Sequence, residues 1–105
     1  MMKNMEKVVS RLITNGTING FNLSITKSEL GTTEIYSVNI RQKEGSFVEI
    51  KHNAVLGVNN LEDIKFKISA SNIDLKISEV DRYVQDLKDA ENAVAEFNKY
   101  IQMTK

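Results

Sequence analysis

His52 is the single histidine of the chain and the one side chain whose ordinary pKa suits proton transfer near neutral pH. As a general base it would need a substrate pocket and a supporting carboxylate, for which Glu49 and Glu62 stand nearby in sequence. A triad would also need an activated nucleophile and an orienting acid, and no motif around His52 supplies them. The acids serve no better as metal ligands. Glu62-Asp63 are neighbours, and Asp86, Asp89 and Glu91 share one helical stretch, so neither set converges on an ion. The calcium-loop spacing with its glycine is absent. Arg82 and Asp86, four apart, suit a surface pair. Gly16 and Gly20 lack the preceding strand and following helix of a phosphate loop, and read as turn residues. There is no cysteine, which excludes disulfides, thiolate metal sites and thiol catalysis together. The sequence thus assigns no catalytic residue, no metal ligand and no cofactor.

What remains is binding chemistry. Arg41, Lys51, Lys65 and Lys67 fall on the polar face of expected strands, with Phe47 as an outward aromatic. Single-strand readers of the sheet type stack bases on two or three exposed aromatics. Here Phe47 stands alone and is placed opposite Arg41, where a cation–π contact would occupy it. Fourteen basic and 14 acidic side chains cancel. The neutral balance argues against nucleic acid and against an anionic membrane as the main partner.

The elements that must position these residues follow from periodicity. At 105 residues, 41% apolar and 27% charged, the chain reads as one globular domain spanning residues 1–105. Met5, Val8, Val9, Leu12 and Ile13 keep helical spacing, predicting a short helix over residues 2–14 that Asn15-Gly16 stops. Asn19-Gly20 turns the chain into a strand with Phe21, Leu23 and Ile25 inward. Further strands carry Tyr36, Val38 and Ile40, then Val48 and Ile50. A three-residue Lys43–Gly45 hairpin would set Ile40 against Val48, Val38 against Ile50, Tyr36 against His52 and Arg41 against Phe47. Ile25 opposite Tyr36 sets Lys27 against Glu34. Residues 53–61 are irregular. Ile64, Phe66 and Ile68 predict a fourth strand and Ile73, Leu75 and Ile77 a fifth, with Lys67 opposite Asp74.

Ser78 reads as the N-cap of a long helix over 79–102. Its stripe of Val80, Tyr83, Leu87, Ala90, Val94, Phe97 and Ile101 has the three-four spacing of a coiled-coil seam. The expected fold is therefore α+β, a two-layer sandwich ordered α-β-β-β-β-β-α. Its five-stranded, mainly antiparallel sheet is covered on one face by a short N-terminal and a long C-terminal helix. A helix of about 24 residues spans on the order of 36 Å, against roughly 23 Å for seven-residue strands. Phe97, Tyr100 and Ile101 are thus expected to overhang the sheet and meet a partner, a second copy or another protein.

The order of a helix, three strands, a short segment, two strands and a final helix resembles that of class I type III secretion chaperones. The similarity is one of topology over most of the chain, and it implies binding of an extended polypeptide. Met1 to Ile13 has no apolar run of signal-peptide type and no segment reaches membrane-spanning length, so a cytoplasmic protein is expected. A small cysteine-free domain rich in Ile, Lys and Asn, with their AT-rich codons, resembles the accessory and counter-defence proteins of phages and mobile elements. Such proteins inhibit a host machine, a CRISPR effector for example, by occupying its surface. The reading is a non-enzymatic protein-binding module, with nucleic-acid binding through the outer sheet face or chaperone-like polypeptide binding as alternatives. Its expected contact residues are Phe97, Tyr100, Ile101, Arg41, Phe47, Lys51, Lys65 and Lys67.

Overall fold

Asn19 and Gly20 have φ of 52° and 88°. A two-residue hairpin turn of the primed type needs such positive angles, and they fold Val9–Ile18 (β1) back on Phe21–Leu30 (β2). A second two-residue turn pairs β2 with Thr33–Arg41 (β3), giving an antiparallel sheet ordered β1-β2-β3. Val48–His52 (β4) and Phe66–Ala70 (β5) form a separate antiparallel pair. Val80–Thr104 is the helix α1, and single 3-10 turns cover Leu61–Asp63 and Ile77–Glu79. The computed structural model describes residues 9–70 and 74–104.

The fold is α+β with antiparallel sheets and one C-terminal helix among the described residues, but three expectations are corrected. No N-terminal helix is seen: residues 9–14 belong to β1, while Met5 and Val8 lie outside the described residues. The reason is a β-bulge between Leu12 and Thr14. It adds one residue to the strand, so Leu12 is exposed while its neighbour Ile13 packs on the core. Two adjacent apolar residues then mimic helical spacing where a regular strand would alternate.

Second, there is no five-stranded sheet. Gly45 has the expected positive φ of 73°, and the Ser46 N–H reaches the Lys43 carbonyl at 3.2 Å. Beyond that turn β4 leaves the first sheet, so Ile40, Val38 and Tyr36 do not pair with Val48, Ile50 and His52. At Tyr36 the edge of β3 is taken by Val58, through N–H···O bonds of 2.7 and 2.9 Å. Nearer the turn, the Gln42 side chain replaces a backbone ladder. Its Nε2 donates to the Ile50 carbonyl and its Oε1 accepts from the Ile50 N–H, both at 2.9 Å.

Third, Leu75 and Ile77 are not in a strand; Ile77 is 95% exposed and opens a 3-10 turn, while Ile73 lies outside the described residues. Within that turn the Lys76 N–H donates to Glu79 Oε1 at 2.9 Å, in place of the expected Ser78 cap. The β2–β3 register is also two residues from the expected one, with Ile25 opposite Val38 and Lys27 opposite Tyr36. A slip of two preserves the faces, and Lys27 still reaches Glu34 at 3.3 Å.

The core gathers Phe21, Leu23 and Ile25 from β2, Val48 and Ile50 from β4, and Ala90, Ala93, Phe97 and Ile101 from α1. The helix can approach β1 closely because Gly16 has no side chain: a Cβ there would meet Tyr100 Cε2 at 2.4 Å. From that contact α1 has only the residues to Thr104 left, about 6 Å of helix. β1 runs on to Val9, about 24 Å of strand. The sheet therefore overhangs the helix, opposite to the expected overhang. The molecule is 64 Å long, and its radius of gyration of 17.0 Å exceeds the compact value of about 13 Å for such a chain.

Gln42 offers a direct check on how the two sheets are joined. Gln42→Ala should destabilise by about 1–2 kcal/mol in urea denaturation, because the Ile50 N–H and carbonyl lose their partners. Gln42→Glu should not restore the loss, since it meets the Ile50 carbonyl with a carboxylate oxygen.

Candidate functional site

Asp86 is the one buried charged residue among those described, at 2% exposure. Its Oδ2 accepts the Phe47 N–H at 2.9 Å and its Oδ1 the Lys43 ammonium at 2.9 Å. Lys43 also reaches Asp89 Oδ2 at 3.1 Å, and Gln85 Nε2 donates to Asp89 Oδ1 at 2.9 Å. The Asn19 amide, in the β1–β2 turn, donates to the Asp89 carbonyl at 3.2 Å. The expected Arg82–Asp86 surface pair gives way to a different arrangement. Arg82 donates to the Gly45 carbonyl and its guanidinium lies 4.8 Å from the centre of the Phe47 ring.

Burial pushes the Asp86 carboxyl up, but the Phe47 N–H and the Lys43 ammonium outweigh it and hold its pKa below the usual value. Asp89 is lowered as well, first by the Gln85 amide and then by Lys43. The hydrogen bond to Asp86, followed by that to Asp89, raises Lys43. These groups fasten the β3–β4 turn to α1. They form a positioning cluster and open no reaction site.

The expected contact residues are dispersed. Phe97 and Ile101 are in the core, Phe97 with its ring centroid 5.8 Å from that of Phe66. Tyr100 is half-buried over Gly16. The overhang expected at this end of α1 is therefore filled from within the chain, by β1 and β5. The less covered end of the stripe is the other one, where Val80 is 44% and Val84 41% exposed. Phe47 is half-buried, paired with Tyr83 at 6.3 Å and capped by Arg82, so Arg41 does not hold it. Arg41 is exposed at the end of β3 opposite Asn22. Lys51 and Lys67 do come together, directly opposed across β4 and β5, with Lys65 close by in sequence. His52 is half-buried opposite Phe66. Among the described residues no group of three or more His, Cys, Asp or Glu is arranged to hold a metal, and no helix is long and apolar enough to cross a membrane.

The surface that sequence reading missed is the projecting part of the first sheet. On its face away from the core, the register sets Asn15 and Thr17 beside Asn22, Ser24, Thr26 and Ser28, and these beside Ser37 and Asn39. Many of these side chains satisfy one another: Asn22 Nδ2 donates to Asn15 Oδ1 and Thr17 Oγ1, each at 2.9 Å, and the Ser10 and Ser28 hydroxyls meet at 3.0 Å. Toward the tip, Val9, Leu12, Leu30 and Ile35 are 53, 58, 43 and 36% exposed. Among the described residues no backbone hydrogen bond outside the β1–β2 ladder reaches the outer edge of β1. The available signal was the run from Asn15 to Thr26, whose polar positions carry no charge. Comparison with family models, with curated proteins and with solved structures returns no match to this chain.

Asp86→Ala should cost about 2–3 kcal/mol in denaturant titration, by removing the acceptor of the Phe47 N–H and the partner of Lys43. With the Asp86 and Asp89 pKa values depressed, their stabilisation is complete above the unfolded carboxylate range. It is lost as pH falls through the lower folded values. Lys43, being raised, contributes fully below its unfolded pKa and loses that contribution only in strong alkali. A pH series should therefore show a plateau through neutrality with an acid limb, and Asp86→Ala should flatten that limb.

Proposed function

We propose that this chain is a non-enzymatic protein-binding module that accepts an extended segment of a partner protein along β1. The observation that carries the reading is the overhang: a long edge strand stands clear of the helix, with exposed apolar side chains at its tip. Strand addition to an open edge gives affinity through main-chain hydrogen bonds and specificity through alternate side chains. Edges are usually blunted with Lys, Pro or bulges. β1 has no Lys and no Pro, one charge at Arg11, and the single bulge near Leu12.

The adjoining face supports the same partner chemistry. Interface centres are depleted in charge relative to ordinary surface. This face presents hydroxyl and amide groups with Leu12, Leu30 and Ile35. A fitting segment is uncharged, extended, and alternates apolar with small polar residues. Holding such a segment would block whatever it otherwise pairs with. That is the occlusion by which a counter-defence inhibitor of the kind suggested by the composition would act.

The test is a pair of surface substitutions, Leu12→Lys and Ile35→Lys. Leu12 is 58% exposed, so its change should alter stability by no more than about 0.5 kcal/mol, while Ile35, 36% exposed and packed over Gly57, should cost about 1 kcal/mol. A partner captured stoichiometrically by the wild-type chain should be lost by the double variant. Light scattering on a sizing column, before and after incubation with lysate, separates hetero-complexes from self-association. Equal capture by the double variant, or no stoichiometric partner, would sink the reading.

A further inference from the structure

Hydrogen-bond direction along β1 follows from the two hairpin turns. Residues flanking a two-residue turn form a hydrogen-bonded pair, and the pairing then alternates. Ile18 with Phe21, and Leu30 with Thr33, are those flanking pairs. β2 therefore turns the main-chain groups of Leu23, Lys27 and Glu29 toward Gly16, Arg11 and Val9 of β1. Ser10, Leu12, Asn15 and Thr17 are left to point theirs at the open edge. Their side chains share the face away from the core, beside Ser28, Thr26, Ser24 and Asn22.

This arrangement makes β1 complementary to itself. A second copy can lie antiparallel to it about a twofold axis between Ile13 and Thr14. Ser10 then meets Thr17 and Leu12 meets Asn15, each an outward-bonding pair on the far face. Val9 meets Ile18 and Arg11 meets Gly16 on the core-side face. Bulge lies beside bulge, so the whole strand pairs, with roughly eight main-chain hydrogen bonds. Centring the axis on Arg11 would instead set like charges in direct opposition. From Leu12 to Ile18 the strand is uncharged and made of apolar and small polar residues, so it is itself a segment of the kind this edge fits.

Arg11 adds charge complementarity. In its own chain it directly opposes Lys27, and it joins no salt bridge among the described residues. In the paired strands it stands beside Gly16 of the second copy, the residue over which Tyr100 lies. The guanidinium there is within reach of the Tyr100 ring and of the C-terminal end of α1, whose last turn carries no basic side chain. The helices leave room for this pairing. The axis lies about 8 Å of strand from Gly16, whereas α1 runs only about 6 Å past Tyr100.

We propose that β1 pairs with β1 of a second copy, joining two three-stranded sheets into one continuous antiparallel sheet. The inference rests on the reading of β1 as an open edge and names its occupant. A foreign segment gains the edge by displacing the second copy.

The chain has no cysteine, so introduced cysteines report the register directly. Leu12→Cys and Asn15→Cys, both at exposed positions, are oxidised separately and as an equal mixture. Opposed residues of a hydrogen-bonded pair have Cα atoms about 5.5 Å apart, within disulfide reach. The mixture should form a linked dimer at least tenfold faster than either variant alone, with Lys88→Cys on α1 as the collision standard. In light scattering the wild-type chain should pass from monomer to dimer mass as concentration rises. Arg11→Glu gains Lys27 as a partner within its own chain, so the fold should hold in urea denaturation. It should still weaken the dimer roughly tenfold or more, because two helix-end contacts are reversed at once. Monomer mass at every concentration, or equal cross-linking alone and mixed, would overturn the proposal. A monomer that still captures a stoichiometric partner overturns this inference and leaves the docking edge standing. A dimer in this register with no foreign partner does the reverse.

Discussion

A single buried carboxylate ties the two sheets and the helix together. Asp86 projects from α1, takes the Phe47 N–H just before β4, and holds the Lys43 ammonium just after β3. Removing such a charge from water costs several kcal/mol unless it is fully paired. The chain meets that demand with one backbone donor and one ammonium, and Asp89 and Gln85 extend the network on the next turn. Since Phe47 is held against the helix, β4 is drawn away from β3. Gln42 then has space to insert its amide between them. The split into a three-stranded and a two-stranded sheet follows from where this carboxylate sits.

Legibility in the sequence tracked how local the determining physics was. The long helix was readable because seven apolar residues from Val80 to Ile101 repeat on one stripe, and its observed limits lie within two residues of those expected. The Asn19-Gly20 turn and the inward residues of β2 were likewise fixed by local chemistry. The N-terminal strand was hidden by its bulge, which placed Leu12 beside Ile13 and imitated a helix. The separation of β4 from β3 was invisible because it rests on residues some forty positions away, Lys43 and Phe47 meeting Asp86. Pairing rules alone favoured a continuous ladder, and their register arithmetic could not detect a competing acceptor.

Functional residues were harder to read for a related reason. Phe97 and Ile101 looked like an overhang because strand length was underestimated. Ten-residue strands reverse that geometry, and Tyr100 can seat itself only because Gly16 leaves room. The polar face of the first sheet, whose one charge is Arg41 at the end of β3, has no motif; it emerges only when three strands are placed side by side. The Lys51–Lys67 pair was legible as basic residues. Their opposition across a ladder required β4 to pair with β5.

The Gln42 amide also has a consequence for how the molecule opens. A backbone ladder transmits opening along its whole length, because every bond shares two chains. Here the link between sheets near the turn is one side chain with three rotatable bonds before its amide. Exchange of the Ile50 amide proton therefore reports on a rotamer and not on strand separation. The β1-β2-β3 meander, closed by two-residue turns, is built from contacts local in sequence, whereas β4–β5 closes a longer loop; both pack on α1. The link near the turn can therefore open without unfastening either sheet, since both stay packed on one helical spine.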